Sequence, residues 1–109
     1  MYMSKTEQAR PLTEVLYGIC LSPGSIYDYT RSVWHQDLKG HTQYMLELLR
    51  KDILVMAGPF EGSGGQLIIK AESEDRAREI AGNDPAFRKG IFKMTVTRWY
   101  ILFRAVELK

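Results

Sequence analysis

Only one cysteine and two histidines occur among the 109 residues. A single cysteine excludes an internal disulfide framework and is compatible with a reducing compartment. Cys20 lies in an apolar run without a basic neighbour, so it is read as a small buried hydrophobe rather than a reactive thiol. The shortage of ligating side chains also argues against a metal centre, which needs three or four converging groups. His35, Asp37 and His41 are close in sequence, but the helix expected to carry His41 starts too late to align them. No metal is therefore expected.

Long apolar runs are missing too. No stretch approaches the ~18 apolar residues of a membrane span, and the opening "MYMSKTEQARPLTE" lacks the apolar core of a signal peptide. A cytoplasmic location without membrane contact is expected. Nor is there an excess of one charge: fifteen basic residues against thirteen acidic ones leave +2. That balance does not suggest nucleic acid or an anionic surface.

A cofactor fingerprint is also absent. The one candidate, "GSGG" (62–65), joins two expected strands, whereas a phosphate cradle needs a helix N-terminus after the glycines. It is read as a hairpin turn, and no cofactor is expected.

What is present suits one modest domain, with 45% hydrophobic and 26% charged residues. Residues 1–12 are polar, end near Pro11, and are read as a mobile tail. "TEVLYGICL" (13–21) is apolar on both faces, as a central strand would be. A long connection, 22–40, follows. It carries Tyr27, Tyr29 and Trp34, which either pack as a lid on the core or line a ligand site. "HTQYMLELLRKD" (41–52) has a helical stripe of Tyr44, Met45, Leu48 and Leu49. Strands at 53–60 and 66–71 flank the glycine hairpin. Ser73 caps a second helix that Gly82 ends, and "NDP" opens a turn.

The last strand, 90–103, alternates up to Arg98 and then becomes continuously apolar from Trp99 to Phe103. Burying both faces there asks for a partner subunit. The order β-α-β-β-α-β defines a ferredoxin-like α+β sandwich: a four-stranded antiparallel sheet, two helices on one face, and the other face paired in a dimer. RNA-recognition modules share this order. Their basic-glycine-aromatic signature belongs on the third strand, yet "QLIIKA" has no aromatic residue, and "KGIFKMTV" lies on the fourth.

One candidate for chemistry remains. His41 sits at the buried end of the helical stripe, either as a satisfied core histidine or as an acid/base group beside a pocket. Asp84 precedes Pro85, so its backbone is extended; Asn-Asp-Pro is also ordinary turn chemistry. Spacing alone does not decide whether the two side chains meet.

The chain also resembles the YCII-related family over about residues 39–99. The carriers are "HTQYM", the run "ILVMAGPFEGSGGQLIIKAES", "DRAREIAGNDPAFRKGIF" and "VTRWY". The resemblance implies one YCII-like α+β domain over 13–109, a dimer of apposed sheets and a pocket centred on a His/Asp pair, here His41 and Asp84. Relatives include muconolactone isomerases in the wider dimeric α+β barrel superfamily, and a dehydrochlorinase class. The sequence departs from the family at Lys39-Gly40, where a basic residue and proline are common. It departs again at Arg98, where proline is common, and at Met45, usually leucine.

The resulting expectation is a small-molecule enzyme. His41 acts as general acid/base, Asp84 orients it, and Trp34, Tyr44, Gly58 and Pro59 shape the pocket. The substrate is a small cyclic or phenolic compound undergoing proton transfer or elimination. The alternative is a non-catalytic domain using the same pocket for a metabolite or a partner protein.

Overall fold

The computed structural model describes residues 14–105. The tail expected over 1–12 lies outside the described residues. Four strands, β1 (Glu14–Pro23), β2 (Leu54–Pro59), β3 (Gly65–Ile69) and β4 (Phe92–Ile101), form one sheet in the order β2-β3-β1-β4. All three neighbouring pairs are antiparallel. Between the strands run α1 (Lys39–Arg50), α2 (Glu74–Gly82) and the four-residue α3 (Pro85–Arg88). This is the ferredoxin-like α+β arrangement expected from the element order.

β1 and β3 are the two central strands, and both bury residues on both faces. Tyr17, Ile19 and Leu21 enter the main core with Leu67, Ile69 and Phe92, and α1 and α2 cover that side with Leu48, Ala77 and Ile80. Each such aliphatic side chain contributes ~1.5–3 kcal/mol on burial. On the opposite face, Leu16, Ile68 and Ile101 form only a small cluster, with Val55 against it. Cys20 belongs to this second face and is exposed, correcting the expectation of a buried thiol. The apolar alternation was real, but no element among the described residues covers that face.

Local chemistry explains the element ends. Ser73 accepts a hydrogen bond from the Arg76 amide at 3.1 Å, and Glu74 and Asp75 occupy the first turn of α2. Asp52, with φ of 59°, ends α1 in a Schellman-type turn: the Asp52 amide donates to Leu49 and the Ile53 amide to Leu48. The β2–β3 hairpin closes with the Phe60 amide on the Gly64 carbonyl at 2.9 Å, and Gly64 has φ of 81°.

Several sequence boundaries move. α1 begins two residues before His41, so His41 lies inside the first turn. Leu49 is half exposed, because it faces a groove beside the helix and not the core. α2 does end at Gly82, with Asn83 as its C-cap at φ of −89°. The expected turn at Asp84-Pro85 starts α3, which the sequence reading lacked. The 22–40 connection contains a 3-10 turn at Val33–His35, pinned by buried Val33. Tyr27 packs down on Phe92, while Tyr29 remains exposed.

Candidate functional site

The first turn of α1 and the start of α3 meet at a single contact. An added Cβ on Gly40 would stand 2.9 Å from the Pro85 Cβ, so only glycine lets the two backbones approach this closely. The next residue along α1 is His41 and the preceding one at α3 is Asp84. Their side chains join, His41 Nδ1 lying 2.7 Å from Asp84 Oδ2.

Asp84 is buried, with 1% of its side chain exposed, and both carboxylate oxygens are used. Oδ1 accepts the Ala86 amide at 2.8 Å and so caps α3. Oδ2 faces His41. A carboxylate oxygen only accepts, so the imidazole carries its proton on Nδ1. Nε2 is left as the acceptor, and no hydrogen-bond partner for it occurs among the described residues. The ring rests edge-on against Phe92, with centroids 6.2 Å apart. Turn chemistry and a paired histidine are thus compatible roles for one aspartate.

His41 lines an open cavity of about 570 Å³ between α1, the β2–β3 hairpin and the 3-10 turn. Leu21, Leu54, Leu67 and Phe92 make its inner wall; all four are buried. Exposed Trp34, Leu46, Leu49 and Met56 make its rim. A mainly apolar cleft of this size, with few polar groups, is typical of small-molecule sites.

The structure brings His41, Trp34, Gly58 and Pro59 to this cavity and places Asp84 directly behind His41. Gly58 pairs in register with Gln66, so the open space around a Cβ built on it lies on the opposite sheet face, and Gly58 meets the cavity through its backbone. Tyr44 is elsewhere. Its hydroxyl donates to the Ile80 carbonyl at 2.7 Å, tying α1 to α2. Burial pushes this phenol above its usual range, with the Asp84 charge adding to the effect. Tyr44 therefore holds the helices as a protonated donor instead of lining the cavity. The other two members of the metal candidate set are engaged separately: His35 with Ser32 and Asp37 with Lys89.

Sequence reasoning missed Thr42, Leu46, Met56 and Phe92. A signal was available for part of this. Thr42, Leu46 and Leu49 recur at i, i+4 and i+7, a second stripe beside the core-facing one. Two leucines on it have no core to enter.

The close approach at Gly40 yields a prediction with an internal control. Gly40→Ala must push Pro85, a rigid ring, and should destabilise the fold by about 1–2 kcal/mol despite alanine's better helix propensity. Gly82→Ala meets nothing within 4 Å and should be neutral or stabilising by up to about 1 kcal/mol. Urea unfolding of both variants checks the opposite signs.

The YCII-related domain model matches residues 25–100, and the chain belongs to this family. Among similar proteins is the uncharacterised YjpA of Bacillus subtilis (strain 168), 32% identical over 65 residues, or 59% of this chain and 76% of that protein. Among solved structures is the 5-chloro-2-hydroxyhydroquinone dehydrochlorinase of Burkholderia phenoliruptrix AC1100, in complex with 2,5-dihydroxybenzoquinone. It superposes with a TM-score of 0.60 at 25% identity, covering 77% of this chain and 92% of that one.

Proposed function

We propose that this protein is an acid–base enzyme acting on a small cyclic or phenolic compound, with His41 as the proton-transferring group and Asp84 as its positioning partner. The observation that carries the reading is the 2.7 Å contact of His41 Nδ1 with a buried carboxylate, at the wall of a largely apolar cavity. That contact sets the tautomer in which Nε2 can accept a proton. The solved dehydrochlorinase, whose name gives a chlorinated hydroquinone as substrate, supports a ring compound.

In this scheme Nε2 takes a proton from a ring carbon or hydroxyl. The electron pair left behind moves into the ring. It then either expels a leaving group with its bonding pair or is re-protonated elsewhere by the imidazolium, giving an isomer. Asp84 stabilises the imidazolium and holds the ring in place.

The test is a panel of enolisable and phenolic ring compounds, 5-chloro-2-hydroxyhydroquinone among them, assayed for chloride release and for deuterium uptake from D₂O. The wild-type protein should turn over at least one compound, and His41→Ala none above the buffer rate. Equal behaviour of the two proteins across the panel overturns the reading.

The same proposal includes a homodimer through the open sheet face. Trp99, which is 50% exposed, pairs in register with Leu16 of the small Leu16–Ile68–Ile101 cluster. Contiguous apolar surface of this kind is characteristic of interaction sites. Light scattering should return twice the 12.5 kDa of one chain, and Trp99→Glu should shift the mass towards one chain. A wild-type mass of one chain at micromolar concentration rejects the dimer.

A further inference from the structure

The cavity beside His41 is unusual in the charge it omits. No Asp, Glu, Lys or Arg lines it among the described residues. The polar side chains among its lining residues are those of His41, Thr42, Trp34 and Gln66. Gln66 contributes mainly through its backbone, since it pairs in register with Cys20 and shares the opposite sheet face. The Asp84 carboxylate stands behind His41. A substrate carboxylate or phosphate placed here would lose its hydration without gaining a counterion, and it would meet negative charge beyond the imidazole.

The size of the cavity points the same way. An apolar cavity of about 150 Å³ holds one benzene ring; this one measures about 570 Å³. Leu46 and Leu49 of α1 line it yet remain 48% and 49% exposed. A ring at His41 leaves those side chains wet. A compound with an apolar extension covers them.

We propose that the substrate of this site is an uncharged ring compound with at least one hydroxyl or carbonyl oxygen and an apolar extension, such as a fused second ring or an alkyl or aryl substituent. The site rejects the same skeleton bearing a carboxylate or phosphate. The oxygen is placed at His41 and Thr42, and the extension lies along the α1 rim. This inference rests on the reading of the cavity as the substrate site.

Three probes test it by calorimetry and by amide chemical-shift mapping: phenol, 2-naphthol and 6-hydroxy-2-naphthoate. 2-Naphthol should bind at least about tenfold tighter than phenol, from the extra apolar area covered. It should also bind at least about tenfold tighter than 6-hydroxy-2-naphthoate, whose carboxylate finds no partner. Its shifts should include Leu46 and Leu49. Leu49→Arg places a cation at the rim and should reverse the preference towards the carboxylate probe.

Equal affinity for phenol and 2-naphthol overturns the extension. Equal affinity for the two naphthalene probes overturns the uncharged class, and no binding of any probe up to its solubility limit overturns both. Binding selectivity that persists in a protein without His41-dependent turnover removes the acid–base reading and leaves this one standing. His41-dependent turnover without the selectivity does the reverse.

Discussion

Replacing His41 with alanine is expected to lower turnover by about 10²–10⁴, the usual contribution of one positioned acid or base. The expectation is specific because His41 is the one titratable side chain that lines the cavity among the described residues. A drop in rate could also arise from damage to the fold, since His41→Ala leaves the buried Oδ2 of Asp84 without its protein partner. Such an orphaned group costs about 1–3 kcal/mol. His41→Asn separates the two effects. Its amide N–H can still donate to Asp84, but it cannot accept a proton at neutral pH. Both variants should lose the same activity, while thermal melts followed by circular dichroism show His41→Asn losing less stability. Activity within tenfold of wild type in the folded asparagine variant removes His41 from the chemistry.

The fold was legible because hydrophobic period and turn chemistry agreed. β1 read as central from its two apolar faces, Ser73 as a cap from its acidic followers, and the glycine hairpin from its place between two apolar runs. Two of the errors share one cause: periodicity reports that a side chain is to be covered, and not by what. Cys20 and Leu49 both belong to apolar stripes. One faces a sheet side left uncovered among the described residues and the other a cavity, so neither enters the core.

The site was legible only in part. His41 and Asp84 could each be singled out locally, but 43 residues separate them and no local rule says they meet. What joins them is α3, a four-residue helix, together with the Gly40–Pro85 contact. Both are tertiary facts. Tyr44 lies one turn after His41 on α1, yet it does not join it at the cavity. The Ile80 carbonyl, exposed to it by α2, takes its hydroxyl instead.

The second large effect belongs to Asp84, where two substitutions should part company. Asp84→Asn preserves shape and can keep both contacts. Its Oδ1 still accepts the Ala86 amide and caps α3, and its amide group still faces His41 Nδ1. Stability should therefore fall by no more than about 1 kcal/mol.

The asparagine N–H, however, now donates to Nδ1, which forces the imidazole proton onto Nε2. The nitrogen that should accept a proton then already carries one. In the well-studied Ser-His-Asp template the equivalent exchange lowers kcat about 10⁴-fold with geometry intact, and a loss of about 10³–10⁴ is expected here. Asp84→Ala removes the cap as well and leaves His41 Nδ1–H unpaired. It should combine the same loss of rate with a destabilisation of about 2–4 kcal/mol.

Ring ¹⁵N shifts of His41 report the tautomer directly. The wild-type ring should show its proton on Nδ1 and the asparagine variant on Nε2. If the tautomer switches while turnover stays within tenfold of wild type, the pair serves packing and cap formation alone. If both change together, the buried carboxylate is what makes this histidine a base.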